Sequence, residues 1–161
     1  MKNINKLNEE LNESFQIITT CLEKQDLKNF AEEARKLTSI IFKSHQGDLW
    51  WQDMGIQVIT ISLYFLYKEF PEVIESKGNI NLINLNFCLT FMVTPINVDE
   101  NFTYGLFEYI EELTEEPIYE YIDIEAVQCI KGSKIGFIAL IAETHHLIMK
   151  LKSIDNTEVI A

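Results

Sequence analysis

GDLWWQDMGIQVITISLYFLYKEFP, residues 47 to 71, predicts one long helix that is apolar on nearly every side. Trp50, Trp51, Met54, Ile56, Val58, Ile59, Ile61, Leu63, Tyr64, Phe65, Leu66, Tyr67 and Phe70 leave almost no polar stripe, and such a helix must be covered on most of its faces. A membrane span is the rival reading. Its purest part, Met54 to Tyr67, carries Gln57, Thr60 and Ser62 and falls short of the roughly 20 apolar residues that cross a bilayer. The ends are those of a core helix. Asp48 is placed to cap the N-terminus, and Pro71, which has no N–H and disfavours helix in the residue before it, stops propagation near Phe70.

Upstream, Ile4, Leu7, Leu11, Phe15, Ile18 and Leu22 recur every three or four residues, an amphipathic helix with Asn and Glu outward. Asp26 caps a second helix carrying Leu27, Phe30, Ala31, Ala34, Leu37, Ile40 and Ile41 and ending near Lys43. The short turn Ser44 to Gly47 makes this helix a neighbour of the central one, packed roughly antiparallel. Downstream of Pro71, Glu72 to Asn81 reads as a helical turn and then a loop. Leu82 to Val93 resumes as helix and ends before Pro95. Strand competes there, because asparagines alternate with apolar residues from Asn79 to Phe87, but a lone strand in a helical chain has no edge to pair with.

Asn97 to Asn101 reads as a polar turn in which Asp99 or Asn101 caps a helix from Phe102 to Leu113, with Phe102, Leu106, Phe107, Ile110 and Leu113 inward. Thr114 to Glu116 then opens another helix. Pro117 sits in its first turn, and Ile118, Tyr119, Tyr121, Ile122, Val127 and Ile130 carry it to about Lys131. Gly132 breaks it, Ser133 caps a last helix from Ile135 to Leu151, and residues 153–161 are expected to fray.

With 161 residues, 47% of them hydrophobic, the chain predicts one compact all-α domain over residues 1–161, a bundle of about six to seven helices around the central apolar one. A net charge of −12 repels phosphate backbones and anionic lipid and attracts basic proteins. Cys21, Cys88 and Cys129 are odd in number and lie among apolar residues, which predicts buried reduced thiols and a cytoplasmic location. The first residues alternate Asn, Lys and Glu with single apolar residues, unlike a secretion signal.

Catalytic and cofactor chemistry finds no constellation in this sequence. Gly132-Ser133-Lys134 lacks the upstream glycine of a nucleotide-binding loop. Glu143 and His146 have a di-iron spacing without a second copy, and the adjacent His145 and His146 point about 100° apart on a helix. His45 has no nucleophile partner, and Trp50-Trp51 is read as core rather than as a base-stacking platform. No catalytic, cofactor or metal residues are expected. The acidic run is different. Glu108, Glu111, Glu112, Glu115, Glu116, Glu120, Asp123 and Glu125 occur with no Lys or Arg from Asn101 to Ile130. Such a run is commonly just a solvated face, yet Glu111 and Glu112 near a helix C-terminus oppose its dipole. A docking surface for a basic protein, comprising Glu108, Glu111, Glu112, Glu115, Glu116, Glu120 and Asp123, explains them.

In order along the chain, Gly47-Asp48-Leu49-Trp50-Trp51 opening a long apolar helix, Leu66-Tyr67-Lys68-Glu69-Phe70-Pro71 closing it, the loop Gly78-Asn79-Ile80-Asn81-Leu82, and Pro117-Ile118-Tyr119-Glu120-Tyr121 before Gly132-Ser133-Lys134 resemble the all-α domain of type IV secretion coupling proteins, the TraG-like ATPases of conjugation. The resemblance runs from about Leu27 to Ile154. It implies a domain at the mouth of an ATPase ring, at the inner face of the membrane, that recognises a relaxase or relaxosome accessory protein. The ATPase motifs being absent, it implies an excised or separately encoded domain, monomeric when isolated, with DNA contacted only through the complex. The alternative from another class is a free-standing acidic helical protein that neutralises a basic toxin or nuclease, as immunity proteins do.

Overall fold

The computed structural model describes residues 2–42, 49–72, 80–92, 95–98, 101–129, 141–142 and 144–151, with side chains described for these except 2–4, 49–52, 95–98, 101–104 and 129. Helix α1 (Lys2–Glu23) buries Leu11, Phe15, Ile18 and Leu22 on the face its periodicity defines. It stops where Gln25 turns left-handed (φ 58), with Gln25 N–H donating to Leu22 O and Asp26 N–H to Cys21 O. This is a Schellman ending, with glutamine where glycine is usual. Asp26 then caps α2 (Leu27–Ile41), its carboxylate accepting from Asn29 N–H at 3.4 Å and Asn29 Nδ2 at 2.6 Å.

Helix α3 (Leu49–Glu69) is the axis of the bundle. Every residue from Met54 to Leu66 is buried, because α1, α2 and three later helices all pack against it. Gly55 allows the close approach of α2, since a Cβ there would lie 3.2 Å from the Phe42 ring. The polar residues of α3 are accommodated differently. Thr60 Oγ1 donates back to Ile56 O at 2.7 Å, and Gln57 Oε1 accepts the backbone N–H of the distant Asp123. The Ser62 hydroxyl is buried without a hydrogen-bond partner among the described residues. No helix among the described residues is long and apolar enough to cross a membrane.

Helix α4 (Leu82–Met92) packs on α3, so helix prevails over strand in this segment. Asn81 Oδ1 accepts from Asn84 N–H at 2.8 Å as N-cap. Ile80 and Leu85, the residues that form a hydrophobic staple around such a cap, are both fully buried. The chain then departs from expectation. Pro95–Val98 (β1) and Asn101–Tyr104 (β2) pair antiparallel in the register Pro95 with Tyr104 and Val98 with Asn101, so Asn97, Val98 and Asn101 are strand rather than turn, and the helix expected from Phe102 starts only at Gly105. The β-branched and aromatic residues Ile96, Val98, Phe102, Thr103 and Tyr104 favour pairing over helix, and Pro95 is tolerated as the first residue of a strand.

Helix α5 (Gly105–Glu112) comes directly after β2. The expected helix from Pro117 to Lys131 is divided into a 3-10 turn (Pro117–Tyr121) and α6 (Ile124–Cys129), because Ile122 is extended and Asp123 caps α6. Residues 141–142 and 144–151 are helical, where the last helix is expected. Asn86 Nδ2 of α4 donates to Thr144 Oγ1 at 2.8 Å and Ile141 O at 3.3 Å, which fixes this segment against α4. Among the described residues the fold is a helical bundle around α3, with the short β1–β2 hairpin beside α5 and a continuous core from Leu11 to Ile148. Asp48, His45, Gly132, Ser133, Glu143 and the tail 153–161 lie outside the described residues, as do the side chains of Trp50, Trp51 and Cys129.

Candidate functional site

Within α5 the 3.6-residue period sends Leu106, Tyr109 and Leu113 into the core and thereby turns Glu111 and Glu112 to solvent. Tyr109 is an inward residue that the sequence pattern did not single out. Its ring meets Phe65 edge-on, with centroids 4.7 Å apart. The helix ends tightly, with Leu113 N–H donating to Tyr109 O and Ile110 O, and Thr114 Oγ1 to Glu111 O at 3.0 Å. Glu116 is extended, as the residue before proline must be, and Ile118 is fully buried in the 3-10 turn. The result is a carboxylate-rich corner on a well-packed base.

The seven acidic residues singled out from the sequence do not act alike in this corner. Glu111, Glu112, Glu115 and Glu120 are exposed, and among the described residues no cation pairs with them. Glu108 is half-buried. Glu116 is engaged internally: its Oε2 accepts from the Tyr64 hydroxyl at 2.7 Å and lies 3.7 Å from Lys68 Nζ, which also sits 5.7 Å from the centre of the Tyr64 ring. Asp123 is structural as well. Its Oδ1 accepts from Ala126 N–H at 3.2 Å, and its own N–H donates to Gln57 Oε1 at 2.9 Å. Burial, and then the Glu116 carboxylate, push the Tyr64 hydroxyl above its ordinary range. Burial does the same to Tyr109, helped by the charges of Tyr64, Glu69, Glu116 and Glu112 around it.

Elsewhere the chemistry is sparse. His145 and His146 are both exposed, and no cluster of three metal-ligating side chains occurs among the described residues. Cys21 and Cys88 are free and buried, and burial pushes the Cys88 thiol up to about 12, far from a reactive thiolate. A cleft of about 230 Å³ lies between α1, the start of α4 and residues 148–151, lined by Asn8, Asn12, Leu11, Phe15, Asn81 and Ile148. Its lining offers amides and hydrocarbon and no titratable group. Comparison with protein-family models, curated proteins and solved structures found no match to this chain.

Proposed function

We propose that this chain is a recognition domain that docks a basic protein through the carboxylates of residues 108–120, in the role that the all-α domain plays in TraG-like coupling proteins. One observation carries the reading. Of the acidic residues from Glu108 to Asp123, Glu116 and Asp123 are used in holding the fold, whereas Glu111, Glu112, Glu115 and Glu120 are exposed with no cation against them among the described residues. Glu111 and Glu112 also end α5, where the helix dipole disfavours negative charge by a few tenths of a kcal/mol or more each, ~1 at most. A cationic partner turns this local cost into attraction, and it speeds encounter as well as fixing orientation. Catalysis is not part of the proposed role.

The test is a charge reversal. Changing Glu111, Glu112, Glu115 and Glu120 together to Lys leaves the buried contacts of α5 and the 3-10 turn in place, so the thermal melt should hold. Association with a purified relaxase or relaxosome accessory protein should slow and lose its salt dependence. Duplex and single-stranded DNA, repelled by the wild type, should bind the variant no worse and even better. Tight DNA binding by the wild type that disappears in the variant would overturn the reading, as would association with the basic partner at an unchanged rate.

A further inference from the structure

Helix α4, LINLNFCLTFM, contains no charged residue in a chain where charged residues make up 24%. Its inner face, Leu82, Leu85, Cys88, Leu89 and Met92, is buried. Its outer face is apolar too. Ile83, Phe87 and Phe91, spaced four residues apart, are 54%, 67% and 43% exposed. Asn86 meanwhile turns its amide to Thr144 and Ile141, so polarity is directed into the fold and hydrocarbon out of it. The stripe continues beyond α4. Phe65 stacks on Phe91 (centroids 5.3 Å) and meets Phe70 edge-on (5.6 Å), and Phe70 is itself 38% exposed.

Carboxylates border the end of this stripe. The exposed Glu69 and Glu72 flank Phe70. The first residue of α5, Gly105, abuts Phe91, a Cβ there falling 3.0 Å from Phe91 O. One turn along, Tyr109 rests on Phe65 and has Glu69 and Glu112 among its charged neighbours. We propose that Ile83, Phe87, Phe91 and Phe70 form the seat of an amphipathic helix of the partner, whose apolar edge lies along α4 while its Lys and Arg side chains reach Glu69, Glu72 and Glu112. From Ile83 to Phe91 the stripe is about 12 Å long, the length of two helical turns. Two turns of a partner helix with apolar residues at every third or fourth position match it. A second copy of this chain matches it poorly, because its own −12 charge would bring the same carboxylates face to face.

This inference rests on the basic-partner reading and adds an apolar seat to it. The probe is a labelled 18-residue peptide of Leu and Lys in helical amphipathic order, titrated by fluorescence anisotropy beside a scrambled peptide of the same composition and a Leu/Glu counterpart. The ordered Lys peptide should bind at least about tenfold tighter than the scramble, and the Leu/Glu peptide should not bind. Ile83→Asn with Phe87→Asn should erase that preference at an unchanged thermal melt, with Phe87→Gln alone as a milder variant should the pair unfold. Equal binding of ordered and scrambled peptides, or an undiminished preference in the variants, would overturn the seat. So would sedimentation showing a wild-type dimer that Phe87→Gln dissociates, since a second copy would then be the occupant. The two readings separate with the relaxase or accessory protein as ligand. Weakening by the four-Lys variant alone sinks the α4 seat and keeps the acidic face, whereas weakening by the α4 variants alone keeps the apolar seat with Glu69 and Glu72 and sinks the acidic face, Glu112 included.

Discussion

Helices α3 and α4 are the two most apolar among the described residues, and they lie against each other, yet they meet solvent in opposite ways. From Met54 to Leu66 α3 is covered on every side, even at Gln57 and Thr60. Helix α4 is covered on one side and holds Ile83, Phe87 and Phe91 in water. Composition alone therefore does not place a helix at the centre of a fold. What distinguishes α3 is the number of described elements packed round it, α1, α2, α4, α5 and α6, whereas α4 rests on α3, α5 and, through Asn86, the helical residues Ile141 and Thr144. An apolar helix with uncovered hydrocarbon signals an interaction surface more strongly than scattered apolar residues do.

The largest expected effect breaks or upholds this contrast directly. Phe65 of α3 sits among Phe70, Phe91 and Tyr109, so Phe65→Ala should cost about 3–5 kcal/mol in a urea melt. Phe87→Ala, two-thirds exposed, should stay within about 0.5 kcal/mol. Equal losses at the two positions would mean that the outer face of α4 is covered in solution. The contrast would then collapse, and with it the case for a seat on α4.

How far the sequence foretold these two helices depends on the information periodicity carries. The run from Met54 to Tyr67 has no polar stripe, so its burial was legible; the single inward face of α1, and Asp26 as a cap, were equally clear. For α4 the type of element was legible and its orientation was not. The outward Phe87 and the inward Asn86 reverse the usual assignment, and the partner that turns Asn86 inward lies 58 residues away, at Thr144. The hairpin is hidden in the sequence because Phe102, Leu106 and Ile110 keep a four-residue spacing across the true boundary at Gly105, while the pairing with Pro95–Val98 depends on register. For the acidic corner, all seven carboxylates were visible in the sequence. Sorting them required Tyr64, 52 residues from Glu116, and Gln57, 66 residues from Asp123, contacts that no local pattern encodes.

An intermediate effect sharpens the comparison by asking whether the inner face of α4 is as dry as α3. Cys88, on that face, donates to Ser62 O at 3.4 Å, and burial raises its thiol from an ordinary 9.0 to about 12. Tyr109 is raised from its ordinary 10.0, first by burial and then by neighbouring negative charge. Both groups are neutral when protonated, so the folded state keeps their protons to higher pH than the unfolded chain does. Their stabilisation is complete below the unfolded values and is lost as pH rises past 9 for Cys88 and past 10 for Tyr109. Each contributes a decline of at most about 1.4 kcal/mol per pH unit. Urea melts from pH 8 to 11 should be level at first and then fall, and Cys88→Ala should make the fall between pH 9 and 10 shallower, leaving there the part due to Cys21, whose thiol is also raised, first by burial. An unchanged profile in Cys88→Ala would show water reaching the α3–α4 interface.

The smallest expected effect concerns how α4 begins. A helix of 11 residues covered on one side draws less from packing than the 21-residue α3, so its N-cap should weigh more in its stability. Asn81 supplies that cap through the 2.8 Å bond from Asn84 N–H, and its own carbonyl accepts from Leu85 N–H at 3.0 Å. Ile80, just before it, is buried and donates its N–H to Thr19 Oγ1 of α1 at 3.5 Å, so the start of α4 is tied at two points of different kind. Asn81→Ala removes one of them and should cost about 1 kcal/mol. Asn81→Asp should recover most of the loss, because a carboxylate also accepts from Asn84 N–H and gains from the positive end of the helix dipole. Hydrogen exchange locates the effect. With Asn81→Ala, protection should fall at Ile83, Asn84 and Leu85 while the amides from Ile56 to Leu66 keep theirs. A loss of protection shared equally by α3 would show the two helices opening as one unit, and the half-covered α4 would then borrow its stability from the fully covered helix beneath it.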